Sequence, residues 1–166
     1  MSNYVTAIGL DVHARSIKAC ALNPMTGEVE RASFGYDPAS VAEWALGFES
    51  PKAVYESGVT GFHLCRALRA LGLDCAVGAV SKMQRPAADR GRKTDRRDAE
   101  FLARLLATRN VVEVWVPAER TEAPRDLSRA LADARDDLQR AKQRMSKFLL
   151  RHGHVFDEPT PAGGRR

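Results

Sequence analysis

The stretch "YVTAIGLDVH", residues 4–13, is mostly apolar and carries a single carboxylate, Asp11, close to its end. A short run of this kind, bounded by polar residues, reads as a buried β-strand. A carboxylate in an apolar strand is costly unless it is paired, bound to a metal or placed at the strand's open end. The first strand therefore predicts a sheet, and its aspartate predicts something at the end of that sheet.

Working outward from it, "SIKACAL" (16–22) is a second strand, and the Pro- and Gly-containing "NPMTGE" (23–28) supplies a turn. "VERASFGY" (29–36) is a third strand, so this part reads as an antiparallel meander. "DPASVAEWALGF" (37–48) opens on an Asp–Pro helix start and repeats Val41, Trp44 and Phe48 at helical spacing. "KAVYESG" (52–58) is a short strand ending at Glu56. "TGFHLCRALRALG" (60–72) is amphipathic, with Leu64, Leu68 and Leu71 on one stripe and a Gly stop. "DCAVGAV" (74–80) is another strand. Residues 81–93 lack apolar periodicity and read as a loop into a helix over roughly 94–109. "VVEVWVP" (111–117) is a further extended segment. Three strands followed by alternating helices and strands predict an α/β fold with a mixed sheet flanked by helices.

The last element has a different grammar. Leu127, Leu131, Ala134, Leu138, Ala141, Met145, Phe148 and His152 recur at alternating spacings of four and three. That is a heptad seam and predicts a coiled-coil helix, with self-association into a homodimer or higher homo-oligomer. A long helix packing on its own domain is the plainer alternative. The expected organisation is thus a first domain over 1–120, a coiled-coil helix over 121–153 and a linker-like tail over 154–166, "HVFDEPTPAGGRR". The Pro/Gly-rich tail makes the chain read as a fragment of something longer.

The 166 residues carry a net charge of +5, unevenly placed. Residues 85–109 and 125–152 each hold eight Lys/Arg against four Asp/Glu, +4 apiece, which leaves −3 for the remainder. Basic segments of this kind point to nucleic acid, although solvated helix faces would look the same. No apolar run approaches a membrane span, and the N-terminus shows no signal peptide. Cys20, Cys65 and Cys75 sit in apolar surroundings without CxxC spacing, as reduced core residues of a cytoplasmic protein would.

The densest basic cluster encloses two acids. In "GRKTDRRDAEFLARLL" (91–106), Asp95 and Asp98 stand three residues apart at a helix start, with Arg90, Arg92, Lys93, Arg96 and Arg97 around them. At i and i+3 they share a helix face and can reach a common point. Asp95 as N-cap with Asp98 in the first turn would explain the spacing by itself. It would leave Asp11 and Glu56 unexplained, since both stand at strand ends, where ligands of α/β sheets collect. Four carboxylates would make an all-oxygen site that suits Mg²⁺ or Mn²⁺ and not zinc. His13 could line the same face, though a structural role is the plainer reading, and "HGH" (152–154) is too weak to read as a metal site.

Together "IGLDVH", "YESGVTG" and above all "KTDRRDAEFLARLL" resemble the N-terminal region of the DEDD transposases of the insertion-sequence 110 group, which includes the pilin-gene invertases. The resemblance covers residues 4–152. It implies a RuvC-like, ribonuclease-H-like domain followed by a coiled-coil helix, with the family's four acids falling on Asp11, Glu56, Asp95 and Asp98. It further implies DNA recombination guided by an RNA from the same element, and a serine nucleophile from a C-terminal domain. No residue here matches that serine, and Ser57 beside Glu56 is not a candidate. Three rivals stand beside it: a Holliday-junction-resolvase-like endonuclease, an actin-like sugar kinase fragment, and a non-catalytic nucleic-acid-binding module.

Overall fold

A computed structural model describes residues 5–58, 60–79 and 95–155, without the side chains of 95–97. The expected loop over 81–93, and with it Arg90, Arg92 and Lys93, lies outside the described residues, as does the tail from 156 onward. The chain divides into two compact units, residues 1–116 and 117–166.

The first unit is built on strands β1 (Thr6–Val12), β2 (Ser16–Leu22), β3 (Val29–Gly35), β4 (Pro51–Glu56), β5 (Asp74–Gly78) and β6 (Glu113–Val114). They form one mixed sheet in the order β3-β2-β1-β4-β5-β6. The meander β1-β2-β3 is antiparallel as its short turns require, while β4 and β5 run parallel to β1 and β6 is antiparallel to β5. The parallel pairs are joined through α1 (Pro38–Leu46) and α2 (His63–Ala70), because a parallel return needs a crossover element.

One face of the sheet packs on α1 and α2 around Ile8, Leu10, Ile17, Val41, Tyr55 and Leu68. Asp37 caps α1, accepting hydrogen bonds from the backbone N–H of Ala39 at 3.0 Å and Ser40 at 3.4 Å, with Pro38 in the first turn. Phe48 lies beyond the helix end yet stays on the core, its ring 4.9 Å from that of Trp44 in an edge-on pair. The α2 stripe departs from expectation at its end. Leu71 is 46% exposed because the helix stops at Ala70; the chain turns at Gly72 (φ +91°), and Leu73 takes the core position instead.

The opposite face is covered by α3 (Asp95–Ala107), and the packing there is unusually close. A Cβ on Gly9 would lie 2.0 Å from the carbonyl oxygen of Ala99 and 2.5 Å from the N of Ala103. Helix backbone thus rests directly on strand backbone, which a glycine in β1 and alanines in α3 permit. Ala99 and Ala103 also pack on buried Cys20, and Leu102 and Leu106 pack on Ala7, Val54 and Ala76. At the margin, Glu100 ties α3 to the edge strand, accepting from Arg31 at 2.6 Å and from Arg104 one turn on at 2.8 Å. All three cysteines are buried and unbridged. Within the extended segment expected over 111–117, Glu113 and Val114 pair with β5, and Ala79 donates to the carbonyl of Val112 beside them.

The second unit is one helix, α4 (Glu119–Arg151), which starts earlier than the heptad seam suggested and includes Pro124. None of its residues is buried. Leu127, Leu131, Leu138, Met145 and Phe148 are each at least half exposed. Among the described residues no helix is long and apolar enough to cross a membrane.

Two outcomes test the α3 packing. Gly9→Ala has no room for its methyl without shifting helix backbone and should cost about 1–3 kcal/mol in urea unfolding, the scale of an overpacked core. The second concerns acid. Hydrogen bonds from Arg31 first, and then Arg104, hold the Glu100 carboxyl below its ordinary value of 4.5. A lowered carboxylate stabilises the fold fully above that ordinary value, and the contribution is lost as pH falls through its native value. The stability difference between wild type and Glu100→Gln should therefore be constant above about pH 6 and shrink toward pH 3.

Candidate functional site

Strand alternation decides where Asp11 looks. Ile8 and Leu10 belong to the α1/α2 face, whereas Ala7 and Gly9 meet α3. Asp11 is two residues past Gly9, so it projects to the α3 side. The same count applies on β4, where Ala53 and Tyr55 face α1/α2 and Val54 faces α3. Glu56 therefore also projects to the α3 side. The parallel register pairs Leu10 with Tyr55, so Asp11 and Glu56 follow at the C-terminal ends of neighbouring strands.

The direction of α3 brings its start to the same place. Its C-terminal half, Leu102 and Leu106, packs on Ala7, while Ala99 and Ala103 lie over Gly9. The helix therefore runs opposite to β1, and its first turn extends toward Asp11. Four helical residues from Ala99 back to Asp95 span about 6 Å, and two strand residues from Gly9 to Asp11 span about 6.6 Å. Asp95 thus starts the helix at the level of Asp11. Asp98, next to buried Ala99, is half-buried. The side chains of Asp95, Arg96 and Arg97 are outside the description, so their backbone positions in the first turn of α3 are what is known of them.

Asp11 is a half-buried carboxylate whose Oδ2 lies 3.0 Å from Nε2 of His13 in the β1–β2 turn. Glu56 is exposed. Ser57, just past it, donates its N–H to the carbonyl of Gly78 at 2.9 Å. Tyr55 anchors the following loop, its hydroxyl donating to the carbonyl of Gly61 at 2.9 Å and accepting from the N–H of Cys65. Burial pushes the Tyr55 phenol well above its usual range, so it stays a neutral structural donor. Among the described residues no group of three or more His, Cys, Asp or Glu side chains stands close enough to hold a metal ion. Asp11, Glu56 and Asp98 thus share a face and an end of the sheet without closing on one point, and Asp95 is outside that comparison. His152 and His154 are exposed at the end of α4, and the ring of His152 rests 4.7 Å from Phe148.

One residue passed over in the sequence stands in this region. Antiparallel register pairs Lys18 directly with Asp11, and the next strand pairs Ser33 with Lys18. The signal was in the hairpin: a short turn after Val12 fixes which β2 residue stands beside Asp11.

A family model described as a transposase, that of the DEDD transposases of the insertion-sequence 110 group, matches residues 8–153. The chain is similar to "Putative transposase y4qE" of Sinorhizobium fredii, 42% identical over 130 residues, which are 78% of this chain and 33% of that protein. It is also similar to the transposase for insertion sequence element IS1533 of Leptospira borgpetersenii, 35% identical over 150 residues, 87% of this chain and 43% of that protein. The chain spans between a third and a half of the length of these relatives. With the family model covering most of its residues, the chain belongs to the DEDD transposase family of the insertion-sequence 110 group.

Proposed function

We propose that residues 1–120 form the ribonuclease-H-like, RuvC-like catalytic domain of a DNA transposase, with Asp11, Glu56, Asp95 and Asp98 as its cation-holding carboxylates. The observation that carries this reading is the shared end of β1, β4 and α3, to which all four positions lead. The strand order, an antiparallel meander continued by parallel strands, supports the fold assignment.

The donor set fits the cation. It is all carboxylate, as hard Mg²⁺ or Mn²⁺ prefers, and the His13 imidazole bonded to Asp11 acts as an orienting partner rather than a fifth ligand. A bound divalent ion would neutralise charge at a scissile phosphate and help to align its attacker. The protein's own part is to hold the acids at fixed strand ends and, through Arg90, Arg92, Lys93, Arg96 and Arg97, to grip the phosphates on either side. The acids of the opening motif hold cations, and its bases hold the polyanion. DNA and a guide RNA from the same element are the partners this reading implies. The serine nucleophile would come from a second domain, so the 166 residues should bind nucleic acid without recombining it.

Residues 121–153 serve as the coiled coil, and 154–166 as the linker beyond it. The seam supports this division, for an apolar stripe exposed along four heptads has no other cover within its own helix. Ala134 and Ala141 allow close approach, and Leu131, Leu138 and Met145 supply the knobs.

Replacing Asp95 and Asp98 together by Asn should abolish Mn²⁺ binding in calorimetry and remove any Mg²⁺ effect on DNA affinity, with stability within about 1–2 kcal/mol of wild type. A pure helix-cap role would give the stability loss with no cation binding to lose. Leu138→Glu should shift sedimentation from dimer toward monomer while the first unit stays folded; an unchanged mass would make the seam intramolecular.

A further inference from the structure

Beside the carboxylate corner lies a cavity of about 310 Å³ between the outer strands and the start of α3, lined by Lys18, Ala19, Arg31, Ala32, Ser33 and Ala99. Two cations line it, and they are not equivalent. Arg31 is committed to Glu100 at 2.6 Å, and Glu100 also holds Arg104. Lys18 donates to the hydroxyl oxygen of Ser33 at 2.6 Å, an uncharged acceptor, and among the described residues it pairs with no carboxylate. The side chain is half-buried. An ammonium has three donors, so two remain for another acceptor, and its bond to Ser33 lies exposed, where an incoming anionic oxygen can reach it.

The register adds direction. Lys18 stands opposite Asp11 across one strand spacing, and Ser33 one strand further out, so the cavity begins about 5–10 Å from Asp11. A strand of nucleic acid crossing the sheet end at the carboxylates would carry its neighbouring phosphate over this hollow. We propose that Lys18, oriented by Ser33, is a positioning residue that takes a backbone phosphate oxygen of the nucleic-acid strand next to the one held at the carboxylates. The inference rests on the catalytic-site reading above. Its own content is that β2, apart from the basic segment over 90–97, contributes one phosphate contact.

The test uses the 166-residue chain and a short single-stranded DNA of mixed sequence, titrated across monovalent-salt concentrations at one fixed Mn²⁺ concentration, with Mn²⁺ binding to the chain measured separately. Lys18→Gln should lower the steepness of log affinity against log salt by about 0.7, the single-strand value for one phosphate contact, which is about a threefold change in relative affinity between 50 and 200 mM salt. Lys18→Arg should restore the slope. Acetylation of Lys18 in the wild-type protein, followed by mass spectrometry, should slow severalfold when DNA is bound, a readout that needs no variant to fold. Wild-type binding with an unchanged Lys18→Gln slope, or equal acetylation rates with and without DNA, would overturn the Lys18 contact and leave the carboxylate reading standing. Loss of slope in Lys18→Gln with no Mn²⁺ bound by wild type would support the contact and overturn the metal reading. No DNA binding by the wild-type chain would overturn the contact outright.

Discussion

The contact between Gly9 and the α3 backbone is the constraint on which the rest of the first unit depends. With a Cβ position only 2.0 Å from a helix carbonyl, nothing larger than hydrogen fits at residue 9. That contact sets the height of α3 over the sheet, and the packing of Ala7 on Leu102 and Leu106 sets its direction. Together they fix which end of the sheet receives the helix start. Two aspartates at a helix start are ordinary; the close packing is what directs the start of α3 toward the strand ends that carry Asp11 and Glu56.

Charge is then distributed around that end in layers. Arg31 and Arg104 share the carboxylate of Glu100 in a cluster that docks the helix margin, and the titrations of Glu100 and Arg31 reflect it: the carboxyl is held down and the guanidinium held up. Lys18 and Asp11 face each other across neighbouring strands without forming an ion pair among the described residues. Under the proposed function, unlike charges set side by side suit a ligand that bears both a metal ion and phosphate oxygens.

Much of this was legible from sequence because the signals were local. β2 was read to its bounds, and β1, β3, β4, β5 and α3 to within a few residues, since each is a dense apolar run or a strongly periodic one. Errors collected where tertiary contacts override the pattern. Leu71 fits the α2 stripe but falls past the helix end, where Gly72 turns the chain and Leu73 takes its place. The 111–117 segment has strand composition, yet only Glu113 and Val114 join the ladder. Lys18 was invisible to motif reading because its neighbour Asp11 is adjacent through register and not through spacing in the chain.

The central claim is that four carboxylates from two strands and one helix serve a single cation site. Crystals of the chain grown with Mn²⁺ and a short DNA would test it most directly, through the anomalous signal of the ion. The account predicts a peak bridged by oxygens of Asp11 and Glu56 from the sheet and of Asp95 or Asp98 from α3. Ordered carboxylates with no peak between them, or an ion held elsewhere on the chain, would contradict it.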